Sequence, residues 1–580
     1  MKKIIMIGLY SIMALVPALA GAADADRVGN FALLDQEGYS HLMSWYDDHA
    51  AIAFLVQANG SVATANAIDE FKAMQARYEE QGIEFFMINP TGNQDRASVA
   101  AATARLGGGI KVLIDDTQLI SEALGVDKTG EVFLFDPKSF TVEFRGPVGA
   151  EFEQALEAKL AGQPIANPVV ATTGEAIAFP TRLAHDRVTP SYETEIAPVI
   201  LENCASCHRE GGVGPFAMNS HAMIEAWSPM IREVLMTNSM PPGQIDSHIG
   251  DFVNDSLIGD SNVQKILHWI AAGSPKDGNS DPLAEKTWPA TKWAFGDPDY
   301  IIKVPPKSIP ATGTIPYLYD TTEPIDIGRD RWVRATQYIA GDRGVLHHTL
   351  NRIIPPENAG QGRGYRNPGD GDTGNPGISS YVPGGEPRMN PPNTGGLLRN
   401  GSELAVQLHY TANGQETVDA SEIGVWFYPE GEVPEKRMGG QCACIYTPTW
   451  TDIPAFAKDF TQTSTITLTG DVELYSFLSH MHFRGKYMRF YADYADGTSE
   501  ELINIAKYDY AWQWAYTYEE PKFMPAGTVL RAVGGFDNSA QNPSNPDPTI
   551  PISWGQQSWD EMFFGAMQWK EVNQDSGGED

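Results

Sequence analysis

His480-Met481-His482 sets two imidazoles on either side of a thioether side chain. In an extended strand, residues two apart point to the same face. His480 and His482 can therefore grip one metal ion without bending the backbone, while Met481 points the other way. The triplet reads as strand, and the sequence around it agrees. From about Trp288 onward, short alternating runs are punctuated by Gly, Pro, Asn and Asp. They include Arg331 to Thr336, Glu403 to Tyr410, Gly424 to Tyr428, Thr465 to Leu468, Met488 to Tyr494 and Val529 to Val533. This spacing predicts antiparallel sandwiches, with the boundary between two of them near 431–441. Pro355 to Gly396, rich in Gly, Pro and Asn, reads as one long loop of the kind that usually carries function.

The chain has twelve histidines, and only five follow His268. They fall as an adjacent pair, His347-His348, a single, His409 in Gln407-Leu408-His409-Tyr410, and the H-x-H. Met562 follows in Ser558-Trp559-Asp560-Glu561-Met562. Adjacent histidines face opposite ways in a regular strand. His347 and His348 can share a metal only at a strand end or bend, which Gly341-Asp342-Arg343-Gly344 is expected to supply. Imidazoles suit copper, zinc, iron or nickel, and a thioether shifts the choice towards copper. The set divides into a three-histidine site (His347, His348, His409) and a two-histidine, one-methionine site (His480, His482, Met562). A buried, hydrogen-bonded structural histidine is the alternative at any single position.

Upstream, the pattern changes twice. Lys2 and Lys3 precede an apolar run, Ile4 to Ala20, ending in small residues. This reads as a secretory signal over 1–23, with an uncleaved anchor as the alternative. It predicts export, into the periplasm if the source is a Gram-negative bacterium. The net charge of −33 argues against a nucleic-acid surface. At 580 residues, about three to five domains are expected. Over 24–165, strand and helix alternate: Ala51 to Val56 as strand, Ala65 to Glu79 as helix, then strands Ile83 to Ile88, Lys111 to Asp116 and Glu131 to Asp136. This segment resembles the thioredoxin fold of the redoxins. The loop that should carry a redox cysteine, Gln57 to Thr64, has none, and Thr129-Gly130 stands where that family usually has a cis-proline. Without a thiolate there is no thiol–disulfide chemistry, so a redox-inactive docking or structural module is expected.

Gly162 to Phe179 reads as a linker. A helical unit over 166–285 follows, with helices at Tyr192 to Asn203 and Val263 to Ala272. The first runs into Cys204-Ala205-Ser206-Cys207-His208. C-x-x-C-H is the attachment signature of c-type haem, with two thioethers from Cys204 and Cys207 and His208 as proximal ligand. A C-x-x-C disulfide or zinc half-site is the alternative. Met240, in Asn238-Ser239-Met240-Pro241-Pro242-Gly243, is the expected distal ligand, by likeness to the cytochromes c. His221 or His248 is the alternative, and Met218, Met223, Met230 and Met236 are expected in the core. Only four cysteines occur in the chain, so a disulfide scaffold is excluded. The remaining pair, Cys442 and Cys444, reads as a local disulfide, a free thiol pair or an extra copper-loading site.

The ordered set of five histidines and Met562 resembles the copper type II, ascorbate-dependent monooxygenases, over roughly residues 290–572. Peptidylglycine α-hydroxylating monooxygenase and dopamine β-hydroxylase are close parallels. The resemblance implies two tandem all-β, jelly-roll-like sandwiches over 286–435 and 436–572; separately, a disordered tail is expected at 573–580. It assigns His347, His348 and His409 to an electron-transfer copper. His480, His482 and Met562 go to the copper that activates dioxygen, across a solvent-filled cleft. It also implies hydroxylation of a C–H bond of an organic substrate by O₂, with electrons from an external donor. The haem segment would relay them. A non-catalytic electron-transfer or copper-handling protein is the alternative function.

Overall fold

The computed structural model describes residues 27–92, 94–288, 292–361, 377–385 and 387–572. The signal segment, the 573–580 tail and much of the Gly/Pro/Asn-rich loop lie outside these. Where that loop is described, it carries a short strand, Arg388–Met389, and runs into the strand Thr394–Leu398.

The first domain is a seven-stranded sheet with helices. Its strands are β1 (Ala32–Asp35), β2 (Ser40–Leu42), β3 (Ala51–Val56), β4 (Ile83–Asn89), β5 (Lys111–Ile114), β6 (Glu131–Asp136) and β7 (Thr141–Pro147). Their order is β2-β1-β5-β4-β3-β6-β7. β3, β4 and β5 run parallel, joined by the helices α1 (Val62–Tyr78) and α2 (Arg96–Arg105). β6 lies antiparallel on the other side of β3. This is a thioredoxin-like α/β domain. β3 is buried at every position because its two faces enter two different cores. Ala51, Ala53 and Leu55 pack with Ile68, Phe71 and Phe152. Ile52, Phe54 and Val56 belong to a cluster that continues into Tyr192, Ile196, Ile266 and Trp269 of the next domain. Burying one such aliphatic or aromatic side chain contributes about 1.5–3 kcal/mol, so a shared core fixes the two domains together.

The helical unit contains Pro180–Arg187, Ala197–Asn203, His221–Met236 and Asp260–Ala271. The helix expected from Tyr192 begins as a wide turn over Tyr192–Ile196, in which the Ala197 N–H reaches back to Tyr192 O. Pro198, in the first turn of the following helix, has no N–H to donate. Met218 and Met236 are buried as expected, but Met230 is half exposed. The expected linker is not free. Val170 N donates to Arg145 O, Thr129 N to Glu175 O, and Ile177 N to Asp127 O. Residues 168–177 are a strap bonded along the first domain.

The β region departs from two separate sandwiches. A three-stranded sheet, Leu318–Thr321, Glu403–Tyr410 and Leu346–Ile354, covers one core with Val333, Ile423, Val425 and Phe427. A four-stranded sheet (Phe460–Thr467, Val529–Phe536, Gly485–Asp493, Ser499–Ile505) covers a second core with Phe477, Phe563 and Met567. The opposing layer of both is one nine-stranded sheet. It crosses from one half to the other where Thr394–Leu398 runs parallel to Lys436–Ile445, through Thr394↔Lys436 and Gly395↔Arg437. The predicted boundary near 431–441 therefore falls on a strand that stitches the halves together. The second core also takes in Ile245 and Phe252 from the helical unit. No helix among the described residues is long and apolar enough to cross a membrane.

Candidate metal centre

His347 and His348 open the strand Leu346–Ile354. Its ladder with Glu403–Tyr410 slips between Leu346 and His348, and His348 then stands directly opposite His409. A bulge adds a residue to one strand and re-aims its side chain. The irregularity expected from Gly341 to Gly344 is thus made within the ladder, at His347 itself. The consequence is convergence. Nδ1 of His347 and Nδ1 of His348 are 3.1 Å apart. The ligand atoms of His347, His348 and His409 all lie within 4.8 Å of one another. Nε2 of His347 and Nδ1 of His409 are buried without a hydrogen-bond partner. Burial, reinforced by neighbouring imidazoles, pushes the His347 pKa down to about 3 and that of His409 down to about 4, and places His348 well below its usual value. Buried polar nitrogens are nearly always satisfied. Three converging neutral rings, two of them with an unpaired buried nitrogen, are a donor set that can hold a metal ion.

At the second set, the tautomers can be worked out. A backbone carbonyl only accepts, so Gln513 Nε2, 2.9 Å from Tyr510 O, is the donor there. That turns Gln513 Oε1 towards His480, and Nδ1 of His480 donates to it at 2.6 Å. Nδ1 of His482 faces Asp560 O at 3.4 Å, a long contact in the same sense. Both rings are thereby left with Nε2 as the lone-pair nitrogen, and that of His482 is buried and unpartnered. Desolvation lowers both pKa values. Met481, on the opposite face, is fully buried in the core.

Strand parity bears on Met562, which the Asp560-Glu561-Met562 triplet favours as the ligand, and on the nearby alternative, Met567. On Phe563–Glu571, the residues Phe563, Gly565 and Met567 are buried inward. Phe564, on the other face, stacks on His480 with centroids 5.4 Å apart. Met562 shares the parity of Phe564, whereas Met567 is a core residue. Glu561 ties Met562 to the H-x-H. Its fully buried carboxylate accepts the backbone N–H groups of His482, of Arg484 (3.1 Å) and of Met562 (3.0 Å). Burial pushes its pKa up to about 7, against the pull of those donors and of Arg484. The fully buried Arg484 in turn donates to Asn538 Oδ1 and Trp559 O, both at 2.8 Å.

The two sets abut. His348 and His480 have ring centroids 6.0 Å apart. The solvent-filled cleft implied between the metals is replaced by ring-to-ring packing. Tyr510 and Gln513 carried no spacing signal in the sequence, because their partners are 163 and 33 residues away. Cys442 and Cys444 are joined as a disulfide on the face opposite the buried Ala443.

The second candidate site lies in the helical unit. Cys204 and Cys207 are free thiols on one turn, with Cys204 O accepting from His208 N at 2.9 Å. Nδ1 of His208 faces Phe216 O at 3.1 Å, so the proton sits on Nδ1 and Nε2 is available as a ligand. The donors fit a thioether-bound haem. A cavity of about 260 Å³ beside His208 is lined by Leu201, Ala205, Met218, Leu283 and Trp288 among others. Met240 does not line it. Its loop packs instead on the C-terminal sandwich, where Tyr516 OH donates to Gly243 O at 2.6 Å and Lys507 Nζ to Ser239 Oγ at 2.8 Å. The methionine beside His208 is Met218, whose N–H donates to His208 O at 2.8 Å. His221 is engaged by Ser274 O and His248 by Asp246 and Asp116.

In the thioredoxin-like domain, the first turn of α1 is occupied by a carboxylate. Glu175, from the strap, accepts from Ser61 Oγ at 2.8 Å, from Val62 N at 3.1 Å and from Thr129 Oγ1. These hydroxyl and backbone donors hold its pKa down to about 2. A helix N-terminus favours an anion, and here the anion is supplied in cis.

No family profile matches the chain, and no curated protein matches it in sequence. Solved structures align with about a quarter of it. A hypothetical protein from Sinorhizobium meliloti is 23% identical over 27% of this chain and 94% of its own, with a TM-score of 0.24. A putative thiol:disulfide interchange protein from Chlorobium tepidum is 18% identical over 24% and 95%, with a TM-score of 0.21. A peroxidoxin from Mycobacterium tuberculosis is 16% identical over 24% and 96%, with a TM-score of 0.21.

Proposed function

We propose that this chain is an exported, copper-dependent monooxygenase that hydroxylates a C–H bond of an organic substrate with O₂ and carries its own c-type haem as an electron relay. The observation behind this reading is the convergence of His347, His348 and His409 beside His480 and His482, with buried, unpartnered nitrogens on His347, His409 and His482. Two copper ions would supply one-electron redox chemistry and an open position for O₂. His347, His348 and His409 would hold one ion, and His480, His482 and Met562 the other. Cys204, Cys207 and His208 would hold the haem.

The protein's own part is positional. Gln513 and Asp560 O fix the His480 and His482 tautomers, and Glu561 aligns Met562 with them. Docking of a partner protein through the thioredoxin-like domain would need a face other than the 127–129 edge, which the strap already covers. That domain is docked instead to its own chain. Gln264 donates to Thr117 O, and Arg96 bonds Asp246 and Glu501. The test is metal and haem analysis of natively isolated protein, then a substrate screen under ¹⁸O₂ with an external one-electron donor. Two coppers, one haem and one labelled oxygen in the product are expected. Zinc in both sites, with no turnover after copper loading, would refute the reading.

A further inference from the structure

Tyr510 touches both histidine sets. Its ring stacks on His347, with centroids 4.5 Å apart and planes 18° from parallel. Its edge meets the His482 ring at 6.3 Å and 88°. Its hydroxyl bonds Ser558 Oγ at 2.6 Å, on the segment that leads to Met562. Its own carbonyl orients Gln513, and Gln513 orients His480. One residue of the second sandwich thus meets a ring of the first set and influences all three ligands of the second.

We propose that Tyr510 is a positioning residue that couples the two metal sites, so that occupancy of the three-histidine site strengthens metal binding at His480, His482 and Met562. This rests on the two-metal reading above. Without metal, the His347 ring is tied by one nitrogen alone, Nδ1 to His348 Nδ1, while its Nε2 has no partner. A bound ion fixes that ring. The stacked Tyr510 is then held, and with it the Ser558 contact and the Gln513 carbonyl anchor. Ordering already done by the first ion need not be repeated by the second, which is positive coupling without a new contact.

The experiment is anaerobic Cu(I) titration of the full-length protein against a chromophoric chelator. X-ray absorption marks the second site by its Cu–S scattering, because only that set contains sulfur. His409→Ala disables the first set. In the wild-type background it should weaken the sulfur-containing site by at least about fivefold, the lower end of ordinary site-to-site coupling. In Tyr510→Ala the same substitution should produce no further loss. Tyr510→Phe, which keeps the stack and removes only the hydroxyl, should retain most of the coupling and guards against misfolding of the alanine variant. Equal losses from His409→Ala in the wild-type and both Tyr510 backgrounds, or no loss in any, would overturn the coupling while leaving two metal sites. Failure of the wild-type protein to take up two ions would overturn the metal reading itself.

Discussion

The backbone N–H groups of His482 and Met562 donate to one and the same oxygen, Oε1 of Glu561. The turn just past a strand end and a loop 80 residues further along the chain are thereby fixed to a single buried atom. The backbones that carry the two proposed ligand types of the second site are held together through it.

Glu561→Ala is expected to lower the stability of the C-terminal sandwich by about 3 kcal/mol, because it leaves three backbone donors without their acceptor at about 1 kcal/mol each. Glu561→Gln should cost less, since one acceptor oxygen remains. Calorimetric unfolding of the full chain checks the ranking. Equal transitions for the two variants would show that Glu561 does not carry this junction.

Met562→Ile removes the sulfur and nearly conserves volume, so stability should change by less than about 1.5 kcal/mol. The His347/His348/His409 site should still take up copper. Cu–S scattering should disappear, and hydroxylation should fall by more than about 100-fold. Met567→Ile, a change in the core, should leave the scattering intact. The reverse pattern would make Met567 the ligand.

The distal ligand of the proposed haem separates two methionines. Met218 lines the cavity beside His208, whereas the loop that carries Met240 is bonded to the C-terminal sandwich through Gly243. Met218→Ala should therefore abolish any sulfur-to-iron charge-transfer absorption and lower the haem potential, and Met240→Ala should leave both unchanged. Loss of the band in Met240→Ala alone would restore the sequence-based assignment.

His248 sits 3.4 Å from Asp116 of the first domain and 2.8 Å from Asp246, and these two carboxylates raise its pKa to about 10. Arg96 and Asp260 complete its charged surroundings. A cation favoured by the fold contributes stability that is complete below its unfolded pKa, about 6.5. That stability is lost as pH rises towards 10. Lys507, lowered to about 8 by burial, works in the opposite sense. The difference in melting temperature between wild type and His248→Gln isolates the histidine, and it should shrink steadily between about pH 7 and pH 10. A difference independent of pH would show that His248 is neutral in the fold.

The sequence revealed what a two-residue period can reveal. Met481 in the core and the β character of the C-terminal half follow from it, but the strand stops at His480 and leaves His482 two residues past its end. The adjacent pair announced that an irregularity was needed, but not that it would be a bulge at His347. A bulge depends on the partner strand that holds His409. Tyr510, Gln513 and the Glu175 strap were invisible for a similar reason. Each works through residues far away in the chain, and no local pattern marks a tyrosine that stacks on a histidine 163 positions earlier. Met240 was chosen by its neighbouring prolines, which describe a loop and not what that loop packs against.

The seam where Thr394–Leu398 runs beside Lys436–Ile445 has only two registered pairs. A continuous sheet resists shear along its whole width, yet it can fold along so short a line. Backbone bonds of this kind contribute about 0.5–1.5 kcal/mol each, within reach of the binding energy of a modest organic molecule. The separation between His348 and His480 is then a mechanical variable with a built-in crease. A guest wedged between those rings would act as a lever on that crease, and the tilt between the halves would report its size.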